Sequence, residues 1–322
     1  MSDQMTSTET AACMRDEPSL IHDERGLFAQ NWNKAGFAYT HALANHSLFE
    51  PESLAQLAKR IPKIDGFVFW RNTKTALKGV WADGTDTNYS VEDTLRHLDD
   101  TDSIVILKHV EQDPEFGPLL QRYLADIVAQ LAPEQADDVL MGEALIFANS
   151  PHRITHYHID GECVFVAEIK GEKTFRVYDQ TDRTVISLEE IEGYFGGNAD
   201  AAKLRDENID KSPDYHIRPG EGVHIPVNAP HWVKTGPQAA VSITFTFDLK
   251  STQKLRRLHY FNDRLRRRGL ARLPIGQAPV RDAAIDLGLR TLQFAKHRFE
   301  SRPGDAYPVW TPHGVRPRRL YA

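Results

Sequence analysis

Apolar residues recur along this chain with two different periods, and the change from one to the other divides it. From Pro51 the stretch "PESLAQLAKRI" sets Leu54, Leu57, Ala58 and Ile61 at helical spacing, and from Pro114 "PEFGPLLQRYLADIVAQL" does the same with Phe116, Leu119, Leu120, Tyr123, Ile127 and Leu131. Both predict scaffold helices that cover a sheet. Between them the β-branched run "SIVILKHV" predicts a strand, and Ser90 ahead of "VEDTLRHL" predicts a helix cap. From Glu143 the pattern changes. The runs "EALIFAN", "ECVFVAEIKG", "KTFRVYD", "GVHIP" and "AVSITFTFDL" are short, rich in Val, Ile, Phe and Thr, and separated by Gly, Pro and Asn. Consecutive strands of this kind predict an antiparallel sandwich or barrel. A charged, partly helical stretch over about 187–213 interrupts them and reads as an insertion outside the barrel. Helical spacing returns after Leu249, where Leu255, Leu258, Phe261 and Leu265 stand among eight Lys/Arg and one acid, Asp263, and "RDAAIDLGLRTLQFAKHRF" follows a Pro-containing link. The expected division is a polar, flexible or loosely docked arm over 1–25, a β-rich domain over 26–250 and a basic helical segment over 251–322. That segment reads as a solvated helix packing its apolar side on the barrel or on another subunit.

Composition narrows the setting. With 322 residues, 41% hydrophobic and 26% charged, the chain has the apolar material for a large core, which excludes disorder over most of its length. Cys13 and Cys163 are the only cysteines, so neither a disulfide framework nor a cysteine-built zinc site is available, and a reducing cytoplasm is the expected location. No apolar run approaches membrane-spanning length, and "MSDQMTSTETAAC" lacks the basic start and apolar stretch of a secretory signal. The net charge of -6 argues against a dedicated nucleic-acid binder.

The chemistry concentrates in "ITHYHIDGE", residues 154–162. On a strand alternate residues share a face, so His156, His158, Asp160 and Glu162 can all point the same way, and parity alone does not choose among them. A strand is too straight to wrap a metal, so a further ligand must come from elsewhere. "RPGEGVHIPVNAPHWVKTG" supplies a candidate: Gly220, Gly222 and Pro226 outline a turn and a short strand, Asn228 tolerates the left-handed conformation, and Pro230 fixes the approach to His231.

Together these residues carry a resemblance. "THYHIDGECVFVAEIKGEKTFRVYD" with "PGEGVHIPVNAPHWV" resembles the cupin-like, jumonji-C-related iron(II) and 2-oxoglutarate oxygenases, which include the asparaginyl hydroxylase that inhibits hypoxia-inducible factor and bacterial cupin-like proteins; the likeness extends over about residues 30–300. The family pattern, Thr-x-x-His-x-Asp, then Lys-Gly-x-Lys, then Pro-x4-His-x-Val, falls here on Thr155, His158, Asp160, Lys170, Gly171, Lys173, Pro226, His231 and Val233. The resemblance implies a mainly β fold with flanking helices around a double-stranded β-helix (jelly-roll or cupin barrel). It implies His158, Asp160 and His231 as iron(II) ligands, and Lys173 with Thr155 as partners of the distal carboxylate of 2-oxoglutarate. Thr246, which shares a face of the last strand with Ser242 and Thr244, aligns with a polar cosubstrate-pocket position. The implied reaction is hydroxylation of a protein side chain or small molecule by molecular oxygen, with release of succinate and CO2, and the C-terminal helices are implied as a homodimer contact.

Physical chemistry points to the same triad, because two imidazoles and one carboxylate leave three coordination positions open for an anionic bidentate cosubstrate and oxygen. A buried lysine also needs a reason, and a dicarboxylate provides one. The pattern is not kept throughout. His156 stands where relatives have a small residue or proline, and Glu168 stands where the hypoxia-factor enzyme has a glutamine facing its peptide, so a charged substrate wall is expected there. A competing motif, His156-x-His158-x3-Glu162 with a later histidine, imitates ordinary metal-binding cupins, which would make the chain a 2-oxoglutarate-independent dioxygenase or an isomerase; a separate alternative is a non-catalytic regulatory module with a structural barrel, in which the basic C-terminal helices do the work. His216 and His224 are expected as core or lumen groups, and Trp232 as packing behind His231.

Overall fold

The computed structural model describes residues 18–64, 66–72, 75–80, 89–300 and 306–319. Its strands in chain order are β1 (Ile21–His22), β2 (Phe37–His41), β3 (Val68–Asn72), β4 (Ser103–Leu107), β5 (Val139–Asn149), β6 (Ile154–His158), β7 (Cys163–Lys170), β8 (Lys173–Val177), β9 (Asp214–Ile217), β10 (Glu221–Ile225), β11 (His231–Thr235), β12 (Ala240–Leu249), β13 (Ala306–Val309) and β14 (Arg316–Arg319). One sheet runs β1-β2-β10-β7-β12-β5-β4-β3 and a second runs β6-β11-β8-β9. Pairing within both sheets is antiparallel. Strands β5 to β12 therefore divide between two facing four-stranded layers, alternating except at the β8–β9 hairpin, which is the double-stranded β-helix. The flanking strands extend only the first layer.

β7 shows why these residues make a central strand. Every residue from Cys163 to Ile169 is buried, as a strand covered on both faces requires. Cys163, Phe165, Ala167 and Ile169 turn outward into the main core, where the N-terminal helices Pro51–Arg60 and Gly117–Ala129 cover the sheet, while Val164 and Val166 turn inward to meet Phe175, Val177 and Ile225. Phe165 stacks on Phe28 with centroids 5.1 Å apart and on His224 at 4.4 Å. The expected scaffold helices thus form, and Ser90 caps Val91–Arg96 by accepting the Asp93 N–H at 3.0 Å.

Three boundaries differ from expectation. Residues 1–17 of the expected arm lie outside the described residues, and from Leu20 the chain is tied down, its N–H donating to Asp126 Oδ2 and Ile21 pairing with His41 across β1 and β2. The basic helix Lys250–Arg266 buries only Leu258 of its four expected apolar contacts. It buries His259, Asn262 and Asp263 instead, because it docks on the helix Leu188–Phe195 through polar bonds: Asn262 donates to Glu192 Oε1 at 3.0 Å and Arg266 to Glu192 Oε2 at 3.2 Å. The C-terminal segment is not helical throughout. β13 and β14 form a hairpin, and Trp310 returns to the barrel, its carbonyl accepting the Gly142 N–H at 3.0 Å and its ring packing on Phe247. "AYPV" and "RPRR" carry prolines, so the sequence pattern gave no strand signal there. No helix among the described residues is long and apolar enough to cross a membrane.

Candidate metal centre

β6 and β11 pair with His158 opposite His231. Cross-strand neighbours on one face lie close enough for their side chains to meet, and here the two imidazoles stand with centroids 4.2 Å apart. Asp160 follows the end of β6, where its backbone carbonyl accepts the Asn228 N–H at 2.8 Å and so locks the β6–β7 turn to the β10–β11 turn. Asn228 holds that second turn in the left-handed region, with φ 60°. The adjacent Gly161 is clamped from outside the barrel by the Tyr194 hydroxyl on its N–H and Arg256 on its carbonyl.

His158, Asp160 and His231 each offer one ligand atom, and those atoms lie within 4.8 Å of one another. Asp160 Oδ2 is 3.5 Å from His231 Nε2. In an octahedral site with bonds of about 2.1 Å, cis ligands sit about 3 Å apart, so a small contraction would bring the set to metal-binding geometry. Nδ1 of His158 lies 2.7 Å from the His156 carbonyl, and Nδ1 of His231 lies 3.0 Å from the Ala229 carbonyl. An imidazole whose Nδ1–H donates to a backbone carbonyl presents Nε2 to a metal with its orientation fixed. Burial pushes His231 down to about 4, aided by the neighbouring His158, so it is neutral at pH 7 as a ligand must be. The donor set fits a divalent metal with open positions.

The two other residues of "ITHYHIDGE" go elsewhere. His156 is buried, but its Nε2 meets Asp200 Oδ1 at 3.1 Å, a partner from the stretch between β8 and β9 that no spacing rule could have named. Glu162 faces Arg256 at 3.7 Å.

His158, Asp160 and His231 open on a chamber of about 100 Å³ between the two sheets, lined also by Thr155, Lys173, Ser242 and Thr244. Lys173, the first residue of β8, is buried and donates to Ser242 Oγ at 2.6 Å. Desolvation lowers the pKa of its amine, and the Glu168 carboxylate 4.0 Å away opposes that shift. Lys173 depends on the tight turn before it. Gly171 has φ +71°, and a Cβ there would run into the Ala239 carbonyl. Thr155 thus lines the same chamber as Lys173, whereas Thr246 lines a larger neighbouring cavity.

That cavity, of about 520 Å³, shares Asp160 and Thr244 with the chamber and has Phe69, Ile106, Met141 and Leu145 on its apolar side and Lys108, Glu143, Glu162, Asp248 and Arg256 on its polar side. Lys108, Glu143, Tyr194 and Arg256 had no motif to mark them in the sequence; they meet only because four separate segments converge. The expected charged wall at Glu168 is not part of this cavity. Inward-facing on β7 beyond Val166, Glu168 is wholly buried beside Lys173. His224 is a satisfied core group, stacked on Phe165 and bonded to the Val164 carbonyl, and Trp232 lies under the Arg176 guanidinium.

Fold and site together define a double-stranded β-helix protein that gathers two histidines and an aspartate beside a chamber containing a buried lysine. No protein-family model matches the sequence, and no curated protein matches it. Among solved structures, the chain is similar to the Escherichia coli ribosomal oxygenase YcfD in complex with cobalt and 2-oxoglutarate, at 16% identity and a TM-score of 0.49, with 91% of this chain and 75% of that chain covered. The complex of the same enzyme with cobalt and succinic acid matches at 16% identity and 0.48, again covering 91% and 75%. The dimethylsulfoniopropionate (DMSP) lyase DddQ from Ruegeria pomeroyi matches at 12% identity and 0.23, over 34% of this chain and 39% of that one. At these scores and identities no chemistry transfers from those proteins to this one.

Proposed function

We propose that the chain is an iron(II)- and 2-oxoglutarate-dependent oxygenase that hydroxylates a protein side chain or a small molecule. One observation carries this reading: a two-histidine, one-carboxylate cluster and a buried lysine line the same chamber. Iron bound by His158, Asp160 and His231 would supply oxygen activation coupled to decarboxylation of the keto acid. The residues of the chain bind and orient. Lys173, with Ser242 and Thr155, receives the distal carboxylate in the chamber, and its desolvated amine gives up little hydration on pairing. The backbone bonds on both histidines hold Nε2 in place, and Val164, Val166 and Phe175 exclude water from the chamber walls. The neighbouring 520 Å³ cavity, continuous with Asp160, is the space for the substrate.

The four-ligand cupin reading is disfavoured, because His156 is engaged by Asp200 and Glu162 faces Arg256. A reducing cytoplasmic setting belongs to the same proposal, as does self-association through the C-terminal helices. Val280, Leu287, Leu292 and Phe294 are exposed along Pro279–Glu300, at 64–85% of their full area, which supports a protein contact there. Light scattering that finds a stable monomer at tens of micromolar removes the dimer. The main test is anaerobic addition of iron(II) and 2-oxoglutarate. The proposal requires a visible metal-to-ligand charge-transfer band and, on admitting oxygen, succinate formation; absence of both overturns it.

A further inference from the structure

Lys173, which lines the chamber, has a buried acid beside it that stands behind the lining residues. Glu168 projects from β7 on the same inward face as Val164 and Val166, is wholly buried, and has both carboxyl oxygens without a hydrogen-bond partner, 4.0 Å from Lys173 Nζ. The lysine donates to Ser242 rather than to this carboxyl. A buried acid with no hydrogen-bond partner beside an anion site is costly as a carboxylate, but in its neutral form it offers an O–H donor.

We infer that Glu168 is a cosubstrate-binding residue that works as a neutral acid, donating a hydrogen bond to the distal carboxylate of the keto acid beside Lys173 and Ser242. The inference rests on the oxygenase reading above and deepens it. The floor then presents an amine, a hydroxyl and an acid O–H to one carboxylate, and binding requires the Glu168 proton. When Glu168 is ionised, solvent supplies one proton for each keto acid bound.

The surroundings agree. Burial pushes Glu168 up to about 8, opposed by Lys173. Lys173, from β8, is the charged group set against the carboxyl. Ser242 faces it from β12, and His41, from β2, bonds to the Glu168 backbone. Glu221, on β10, turns its Oε2 to the Arg218 N–H at 2.9 Å.

The test is equilibrium binding of 2-oxoglutarate to the manganese-loaded full chain without oxygen, by calorimetry from pH 6.5 to 9.5 in buffers of different ionisation enthalpy. Wild type should bind evenly below about pH 8, then lose affinity by roughly tenfold per pH unit, with one proton taken up per ligand at pH 9. Glu168→Gln keeps a donor and cannot ionise. It should bind within about threefold of wild type at pH 7, lose less affinity than wild type above pH 8 and take up fewer protons than wild type at pH 9, any remainder belonging to Lys173. Glu168→Leu lacks the donor and should bind roughly tenfold or more weakly at pH 7. Matching pH profiles for wild type and Glu168→Gln, or full affinity in Glu168→Leu, overturn the inference and leave the oxygenase reading intact. No 2-oxoglutarate binding at any pH overturns both.

Discussion

Replacing Lys173 by alanine isolates the step that separates a 2-oxoglutarate enzyme from a cupin that uses its metal without it. The amine is buried and anchored to Ser242 at 2.6 Å, so a carboxylate paired with it is shielded from water. Truncating one partner of a buried, hydrogen-bonded charge pair costs about 2–5 kcal/mol. At 1.4 kcal/mol per factor of ten this predicts roughly a 30- to several-thousand-fold loss of 2-oxoglutarate affinity. The folded chain should suffer far less. Losing the Ser242 bond costs about 1 kcal/mol, and removing a desolvated amine offsets part of that. Metal affinity measured without keto acid should be unchanged, since Lys173 bonds to Ser242 and faces Glu168 rather than the triad. The assay is anaerobic titration of the iron-loaded variant with 2-oxoglutarate, followed by the charge-transfer absorbance, alongside thermal melts and succinate formation. A variant that melts normally and binds 2-oxoglutarate within threefold of wild type would refute the assignment of Lys173 and turn the reading toward a cosubstrate-independent cupin.

Further outcomes follow from the same geometry. Asp160→Ala removes the carboxylate 3.5 Å from His231 and should abolish stoichiometric iron or manganese binding, measured after desalting, while a His156→Ala variant retains the metal; the reverse pattern would favour the four-ligand cupin site. Phe165→Ala, at a wholly buried ring stacked between Phe28 and His224, should cost about 3–5 kcal/mol in urea unfolding, and a loss under 1 kcal/mol would contradict the packing. Burial holds His41 and His259 down to about 4 and His224 to about 3. The unfolded chain, with histidines near 6.5, binds more protons below that pH, so stability is full above about 6.5 and lost as pH falls toward 4, by about 1.4 kcal/mol per pH unit for each histidine. Urea midpoints unchanged from pH 6.5 to 5 would count against it, and His224→Phe should flatten the slope.

Much of the barrel was readable in the chain itself because a central strand is buried on both faces, and that demand is local. "ECVFVAEIKG" and "AVSITFTFDL" are short runs rich in Val, Ile, Phe and Thr wherever they sit in space. His158 and Asp160 are two residues apart and the Gly, Pro and Asn of "PGEGVHIPVNAP" mark a turn ahead of His231, but it was the resemblance to the jumonji-C-related oxygenases that implied the three together. What parity left open was which members of "ITHYHIDGE" share a centre. The pairing of β6 with β11 sets His158 opposite His231, while Asp200 engages His156 and Arg256 faces Glu162. The same holds for the chamber floor and the larger cavity. Ser242 and Glu168 meet Lys173, and Glu143, Tyr194 and Arg256 line one cavity with Asp160, across sequence separations that carry no periodic signal. Hydrophobic pattern is a property of neighbours along the chain, and so it foretells elements and their faces; contacts between polar side chains from distant segments depend on how those elements pack, and only the folded chain contains that information.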